Sequence, residues 1–185
     1  MIDDFIKEIT DQTGEVYRVK KCDEAAETLV NIAQEKQIIK LIASTDSVIR
    51  RIDLAGVAAK SGIEIRTAGD FKDRDAFKAY AFEHADAGLT GVDYGVAESG
   101  TLCLVHDENQ PRLVSLAPLY HIALLPMKHL VPTYEQAAAQ IFSTNAALPS
   151  QVSFITGPSM TADIQATSFK GMHGPKHLIV ILLGC

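Results

Sequence analysis

Two apolar segments with almost no polar interruption constrain the fold most strongly. The chain closes with HLIVILL at residues 177–183, and IIKLIAS at residues 38–44 has one polar side chain before its last residue. A strand that covers one face of a sheet alternates polar and apolar residues, whereas a continuous apolar run indicates a strand buried on both faces. Such strands are typical of a parallel or mixed sheet between two layers of helices.

Helical patterns separate the predicted strands. Good helix formers follow Asp23, which can cap a helix. A helix after Asp53 is expected to end at Gly62, because a left-handed residue at a helix end favours glycine. Residues 73–85 and 133–148 also have helical patterns.

The second half of the chain is richer in predicted strands. Strands are expected around residues 88–92, 100–106, 112–116 and 121–125. Residues 160–169 are expected to form a turn or a short helix. The alternation predicts the α/β class: a three-layer sandwich with a mostly parallel sheet, in a single domain over residues 1–185.

Composition excludes several classes of function. The formal net charge is -6 and no Lys/Arg run forms a stripe, which disfavours nucleic acid as a partner. The longest apolar run, at residues 177–185, is too short to span a bilayer. The N-terminus is acidic and amphipathic, unlike a secretory signal. These features predict a cytoplasmic protein.

The cysteines give no sign of a metal centre. Cys22, Cys103 and Cys185 are scattered and none belongs to a CxxC pair, so an iron–sulfur cluster or structural zinc held by this chain alone is not expected. No HxxxH or HExxH pair is present, and no metal is predicted. A cytoplasmic location also predicts no disulfide.

A first candidate loop, residues 90–100 (TGVDYGVAESG), places a carboxylate between glycines. Gly95 and Gly100 permit a close backbone approach or a positive φ, so the chain can turn and present Glu98 to a ligand. A carboxylate there can act as a nucleophile, a base or an anchor for a ligand hydroxyl. The alternative is a solvated Glu98 at a strand end, with the glycines serving a bulge.

A second loop, residues 156–165 (TGPSMTADIQ), resembles an anion cradle. Backbone N–H groups near Gly157, the hydroxyls of Ser159 and Thr161, and Asp163 precede a predicted helix, whose positive end attracts anions. It contains no nucleotide-binding fingerprint. The alternative is a capped helix, with Ser159 or Thr161 as the N-cap.

A third loop, residues 168–177 (SFKGMHGPKH), precedes the final strand. Lys170 and His173 flank glycines, Gly171 and Gly174, and both side chains suit a carboxylate or phosphate. His173 can also transfer protons near neutral pH. The alternative is a tight glycine turn whose polar side chains face water.

Two further histidines have weaker cases. His121 and His129 stand beside apolar neighbours, where a lone histidine is more often structural than a ligand. Ligands in sheets of this class bind outside the carboxyl ends of the strands, and the three loops are expected to meet there.

Four ordered motifs carry a family resemblance: VAESGTLCL, PxxHIALLPMKHLVPTYEQA, ITGPSMTADIQ and KGMHGPKHLIVILL. Together they resemble the LUD domain of the lactate-utilisation protein C family. The resemblance implies the fold of ribose-5-phosphate isomerase, glucosamine-6-phosphate deaminase and the CoA-transferases. It also implies a three-protein system that oxidises lactate to pyruvate, in which two partner proteins carry the iron–sulfur clusters. Glu98 looks similar to the glutamate that attacks acyl-CoA in the CoA-transferases.

The leading hypothesis is a subunit or accessory protein of L-lactate oxidation that binds a small anion, a carboxylate or phosphate, at the three loops. Glu98 and His173 would supply acid/base chemistry, while Asp93 and Asp163 orient neighbours. No cofactor is expected on this chain, because nothing in it carries electrons. Two alternatives stay open: a stand-alone isomerase or acyl-CoA transferase-like enzyme, and a non-catalytic scaffold or sensor.

Overall fold

The structure is a computed structural model of the 185-residue chain. It describes residues 1–142, 148–162, 168–171 and 173–185. The helices of this part are α1 Ile2–Asp11, α2 Cys22–Glu35, α3 Leu54–Ser61, α4 Arg74–Glu83, α5 Arg112–Leu116 and α6 Tyr134–Phe142. The strands are β1 Glu15–Val19, β2 Lys40–Ala43, β3 Glu64–Thr67, β4 Ala87–Gly91, β5 Tyr94–Val96, β6 Thr101–Val105, β7 Tyr120–Pro126, β8 Leu130–Val131, β9 Val152–Ile155, β10 Met160–Ala162, β11 Ser168–Lys170 and β12 His177–Leu183.

The main sheet has six strands in the order β1-β12-β7-β4-β2-β3, and every neighbouring pair is parallel. The two segments with continuous apolar sequence contain β2 and β12, as predicted. In β12 the residues from Leu178 to Leu183 are all buried. The strand therefore contributes side chains to the core on both faces, which is why its sequence lacks alternation.

Helices cover both faces of the main sheet. On one face α2 and α3 pack through Leu29, Ile32 and Val57 against a layer that includes Ile122 and Ile179. On the other face α4 and α5 cover the end near β2. This arrangement confirms the predicted three-layer α/β sandwich.

A second, smaller sheet covers the rest of that other face. Its order is β8-β5-β6-β9. Leu102 and Leu104 of β6 pack with α1 residues Phe5 and Ile9 against the main sheet. Its outer side is covered by α6, through Ala137 and Ile141. The space between the two sheets contains the candidate site.

The strand predicted at residues 112–116 is wrong, since this segment is helix α5. Pro111 precedes the helix, and the bonds Val114 N–H to Pro111 O and Ala117 N–H to Leu113 O are helical turns. Five residues are too few for hydrophobic periodicity to separate a buried helix from a strand.

A turn or a short helix was expected over residues 160–169, and the described residues at both ends of this segment form strands instead of a helix. β10 and β11 pair in antiparallel register, with the backbone of Thr161 opposite that of Phe169. No helix therefore begins at Ser159 or Thr161, and the predicted anion cradle lacks its helix end. The backbone pairing of the two segments, which no local pattern reports, decides their structure.

Two predicted helix ends have different outcomes. α2 begins at Cys22, so Asp23 lies in the first turn and is not the cap. Instead, the Glu24 carboxylate accepts hydrogen bonds from the Lys20 and Lys21 N–H groups. Gly62 ends α3 with a φ of 74°, as predicted.

The expectation of no disulfide is wrong. Cys22 and Cys185 are joined, with a Cα–Cα distance of 6.0 Å, and Cys103 is free and buried. β1 and β12 are adjacent parallel strands, so the residues that follow them emerge side by side. Across the described residues, no helix is both long and apolar enough to span a membrane.

Candidate functional site

The second and third loops meet and hold each other through backbone hydrogen bonds. Ser159 N–H donates to the Pro175 carbonyl at 2.8 Å, and Gly171 N–H donates to the Ser159 carbonyl at 2.9 Å. A Cβ on Gly174 would lie 3.2 Å from the Ser159 Cβ, so glycine permits this approach. Gly171 has a φ of 81°, which favours glycine. The second and third loops therefore lie together, as the sequence predicted.

Behind the two loops lies a cavity of about 190 Å³, here called the inter-sheet cavity. Its wall combines the second and third loops with α5, the end of β9 and the inner face of β7 and β12. The polar side chains of the wall are Ser115, His121, Thr156, Ser159 and His173. The apolar ones are Leu116, Phe154, Ile155, Pro158, Pro175 and Leu178.

The cavity lies near the amino ends of the main strands, because His121 and Leu178 are the second residues of β7 and β12. The ligand site was predicted at the opposite end, outside the carboxyl ends of the strands. At that end the chain fills the crevice beside β2 and β4: Asp46 accepts hydrogen bonds from the Ser44 hydroxyl and from the N–H groups of Val48 and Gly91. Gln110 Nε2 also donates to the Gly91 carbonyl. These polar groups therefore already have hydrogen-bond partners within the chain.

His121 and Ser115 are the buried polar residues of the cavity wall, each with 1% of its surface exposed. The Nε2 of His121 lies 2.8 Å from Thr90 Oγ1, and its Nδ1 has no hydrogen-bond partner in the described part of the chain. Burial, with a smaller effect from His106, lowers the pKa of His121 to about 3. The ring is therefore neutral at physiological pH. An unpartnered nitrogen inside a core is rare and calls for an explanation.

The mouth of the cavity is more polar and more open. His173 and Thr156 are exposed, and Ser159 is partly exposed. Thr156 Oγ1 lies 3.0 Å from Thr101 Oγ1, which lies 2.8 Å from Ser99 Oγ. This row of hydroxyls connects the cavity mouth to the residue after Glu98.

The first loop itself does not line the cavity. Glu98 is exposed, and its Oε1 accepts a hydrogen bond of 2.8 Å from the Tyr134 N–H at the start of α6. Gly95 packs closely against Leu125. Gly100 has a φ of 62° and approaches the backbone of Ile9. The two glycines thus serve packing and a turn, and the acid/base role of Glu98 stays a prediction.

Of the remaining predicted site residues, some line the cavity and others do not. Gly157 lines the cavity and approaches Gln12, where a Cβ would lie 3.0 Å from the Gln12 Cβ. Thr161 is exposed in β10. The backbone of Lys170 belongs to β11. Asp163 lies outside the described residues.

From the sequence, His121 was a weak candidate for a ligand-binding residue. The signal that marked it was a polar residue at the start of the apolar strand HIALL. Its burial and its free nitrogen depend on α5 and the second sheet, which no local pattern shows. In the described ranges, no group of three or more His, Cys, Asp or Glu side chains is placed to hold a metal ion.

The fold defines a class: an α/β domain in which a parallel sheet and a small second sheet enclose a cavity. Comparison with known proteins then gives the family. The LUD domain model matches residues 2–183, and the chain belongs to this family. The predicted resemblance is confirmed.

Relatives and a solved structure agree with this assignment. Lactate utilization protein C of Halalkalibacterium halodurans is 32% identical over 181 residues, which cover 94% of this chain and 76% of that protein. Lactate utilization protein C of Oceanobacillus iheyensis is 41% identical over 104 residues, covering 55% of this chain and 45% of the relative. A crystal structure of a DUF162 family protein from Deinococcus radiodurans has a TM-score of 0.63 at 21% identity, over 98% of this chain and 95% of that one. This last likeness shows a shared fold.

Proposed function

We propose that this chain acts in lactate utilisation, as a subunit or accessory protein of lactate oxidation that binds a small organic anion in the inter-sheet cavity. The names of the relatives support the pathway. The observation that carries the binding site is the closure of two loops over a cavity whose inner wall has an unpartnered, buried His121.

The size and polarity of the cavity favour a small ligand. A volume of about 190 Å³ holds several water molecules or a compact organic acid, and is below the usual range for drug-sized ligands. A charged carboxylate stays near water at the mouth, because burying it without a partner is costly. There the Ser159 and Thr156 hydroxyls can donate hydrogen bonds to it, and the exposed His173 also lines the mouth.

Electron transfer in this proposal belongs to other proteins. The chain binds no cofactor of its own, and iron–sulfur clusters are expected on partner proteins of lactate oxidation. Its described residues offer hydroxyls, histidine and backbone groups at the cavity, which bind and orient a substrate but do not carry electrons.

Ligand binding is tested by thermal unfolding with pyruvate, lactate and inorganic phosphate. A ligand at a hundred times its Kd adds about 2.7 kcal/mol to the free energy of unfolding, which raises Tm by several degrees. The variant Ser159→Leu fills the mouth of the cavity and should lose the rise. Ser150→Leu introduces the same side chain at an exposed serine outside the cavity and should keep it.

Two results would contradict the proposal. One is the absence of any rise with all three compounds. The other is an equal rise in the wild type and Ser159→Leu, which would place the ligand elsewhere on the chain.

A further inference from the structure

A second depression lies between α4, α5 and the loop at residues 106–111, and it is here called the α4–α5 groove. Its volume of about 800 Å³ is within the range of small-molecule binding sites. Ala68, directly after β3, lines the groove, and the Asn109 carbonyl of the loop accepts a hydrogen bond of 2.7 Å from Thr45 N–H, just after β2. The groove therefore borders the carboxyl ends of these strands, where ligands bind in sheets of this class.

Three cationic side chains line the groove: Arg74 and Lys78 of α4, and Arg112 at the start of α5. Arg74 and Lys78 stand about one helical turn apart, so they share a face of α4 with Phe77. Phe77 packs with Val114 of α5, which directs this face toward α5. All three cations are exposed, and within the described chain none has an ion pair or a side-chain hydrogen bond. They are therefore available to an anion.

The acidic side chains of the groove have backbone partners instead of these cations. Asp73 is the N-cap of α4, and its carboxylate accepts a hydrogen bond of 2.8 Å from Ala76 N–H. Asp107 accepts two hydrogen bonds of 2.8 Å from N–H groups of its own loop. The backbone dipoles offset part of both negative charges. Glu108 is exposed and can turn toward water.

The groove also has an apolar lining. Its members are Ala68, Phe71, Phe77, Pro111 and Leu113, and the ring centroids of the two phenylalanines lie 5.5 Å apart. Exposed cations alone bind an anion weakly in water, because solvent and salt screen the attraction. A ligand that also places an aromatic ring on this lining gains hydrophobic contact and has a defined orientation.

We propose that the α4–α5 groove is a binding site for an aromatic organic phosphate. The phosphate group contacts Arg74, Lys78 and Arg112, and the aromatic part lies on Phe71 and Leu113. A phosphate monoester suits this set better than a carboxylate, because it carries close to two negative charges and three strong acceptor oxygens. The site goes beyond the proposed function, since it shares no lining residue with the inter-sheet cavity.

The test compares 1-naphthyl phosphate with inorganic phosphate, which lacks the ring, and with 1-naphthol, which lacks the phosphate. Calorimetric titration of the full chain measures the affinities, and NMR locates the ligand through the methyl signals of Leu113 in the groove and Leu178 in the inter-sheet cavity. 1-Naphthyl phosphate should bind roughly tenfold more tightly than either comparison compound and should shift Leu113 but not Leu178. Added salt should weaken its binding.

Matched substitutions test the cations. Arg112→Gln and Lys78→Gln should each weaken binding of 1-naphthyl phosphate roughly fivefold, because each removes a charged donor. Arg51→Gln and Lys60→Gln remove the same charges from exposed residues outside the groove and should leave the affinity unchanged. All four positions are exposed, so the variants should keep the wild-type melting temperature.

Four results would overturn the assignment. The first is that 1-naphthyl phosphate leaves the Leu113 signals in place. The second is that inorganic phosphate binds equally well, which would show that the apolar lining contributes nothing. The third is that 1-naphthol binds equally well, which would exclude a role for the cations. The last is an equal loss of affinity in Arg112→Gln and Arg51→Gln, the mark of nonspecific attraction.

Discussion

The carboxylate of Glu98 lies against the start of α6. The first backbone N–H groups of a helix have no partners within the helix. The hydrogen bond from Tyr134 N–H to Glu98 satisfies one of them, and the negative charge of the carboxylate is favourable at the positive end of the helix. The exposed position leaves the carboxylate open to water or to a ligand carried by a partner protein. The observed capping contact needs an oxygen acceptor, whereas the predicted acid/base role needs an ionisable carboxyl group. Mutation can separate the two.

Glu98→Gln retains an oxygen acceptor, whereas Glu98→Ala removes it. Capping predicts that Glu98→Ala lowers the free energy of unfolding by about 1 kcal/mol, while Glu98→Gln lowers it by less than half of that. Denaturant titration measures both. Catalysis by Glu98 predicts a different pattern in an activity assay, in which Glu98→Gln folds normally and loses turnover.

Asp93 is partly buried between β4 and β5, where its carboxylate accepts a hydrogen bond of 2.7 Å from Val105 N–H. Burial raises its pKa to about 6. An aspartate in an unfolded chain titrates near 4. The folded state thus binds more protons between these values, so the stabilising contribution of Asp93 is complete below pH 4 and is lost as the pH rises through 6.

Asp93→Asn removes this charge and keeps an acceptor for Val105. At pH 7.5 the variant should therefore be more stable than the wild type by about 1–2 kcal/mol, and near pH 4 the difference should vanish. Glu83→Gln, which removes one charge from an exposed residue of α4, should show no such pH dependence. Denaturant titrations across this pH range measure the effect, and a constant difference for Asp93→Asn would contradict it.

Among the elements, the parallel strands with continuous apolar sequence were predictable, whereas α5 and the β10–β11 pair were not. β2 and β12 have side chains in the core on both faces, so their position leaves a continuous apolar sequence. Helix α5 has five residues, and its structure depends on contact with β4. The pairing of β10 with β11 likewise depends on residues that are distant in sequence.

The contact between α5 and β4 requires a glycine. A Cβ added to Gly88 would lie 1.7 Å from the Val114 carbonyl oxygen, which is a backbone atom and cannot rotate away. Gly88→Ala should therefore displace α5, which forms part of the cavity wall, and destabilise the fold by about 3 kcal/mol. Gly69→Ala is the matched control, since its nearest neighbour would be 3.8 Å away. Equal melting temperatures for the two variants would contradict this packing.

At the scale of the whole molecule, the convergence of the second and third loops could be predicted, but the position of the cavity could not. Ser159 and His173 belong to glycine-rich segments beside strands, a pattern visible in the sequence. His121 became part of the site only because a second sheet packs over the main one and leaves a cavity. The disulfide between Cys22 and Cys185 is unusual for the predicted cytoplasmic location, which stays a prediction.

The location of the ligand site is tested most directly by a crystal structure of this chain grown with saturating pyruvate. We expect the ligand in the inter-sheet cavity, with its carboxylate at the mouth beside Ser159. Pyruvate bound at the carboxyl ends of the main strands, near Asp46 and Asp93, with the cavity free of ligand, would contradict the account.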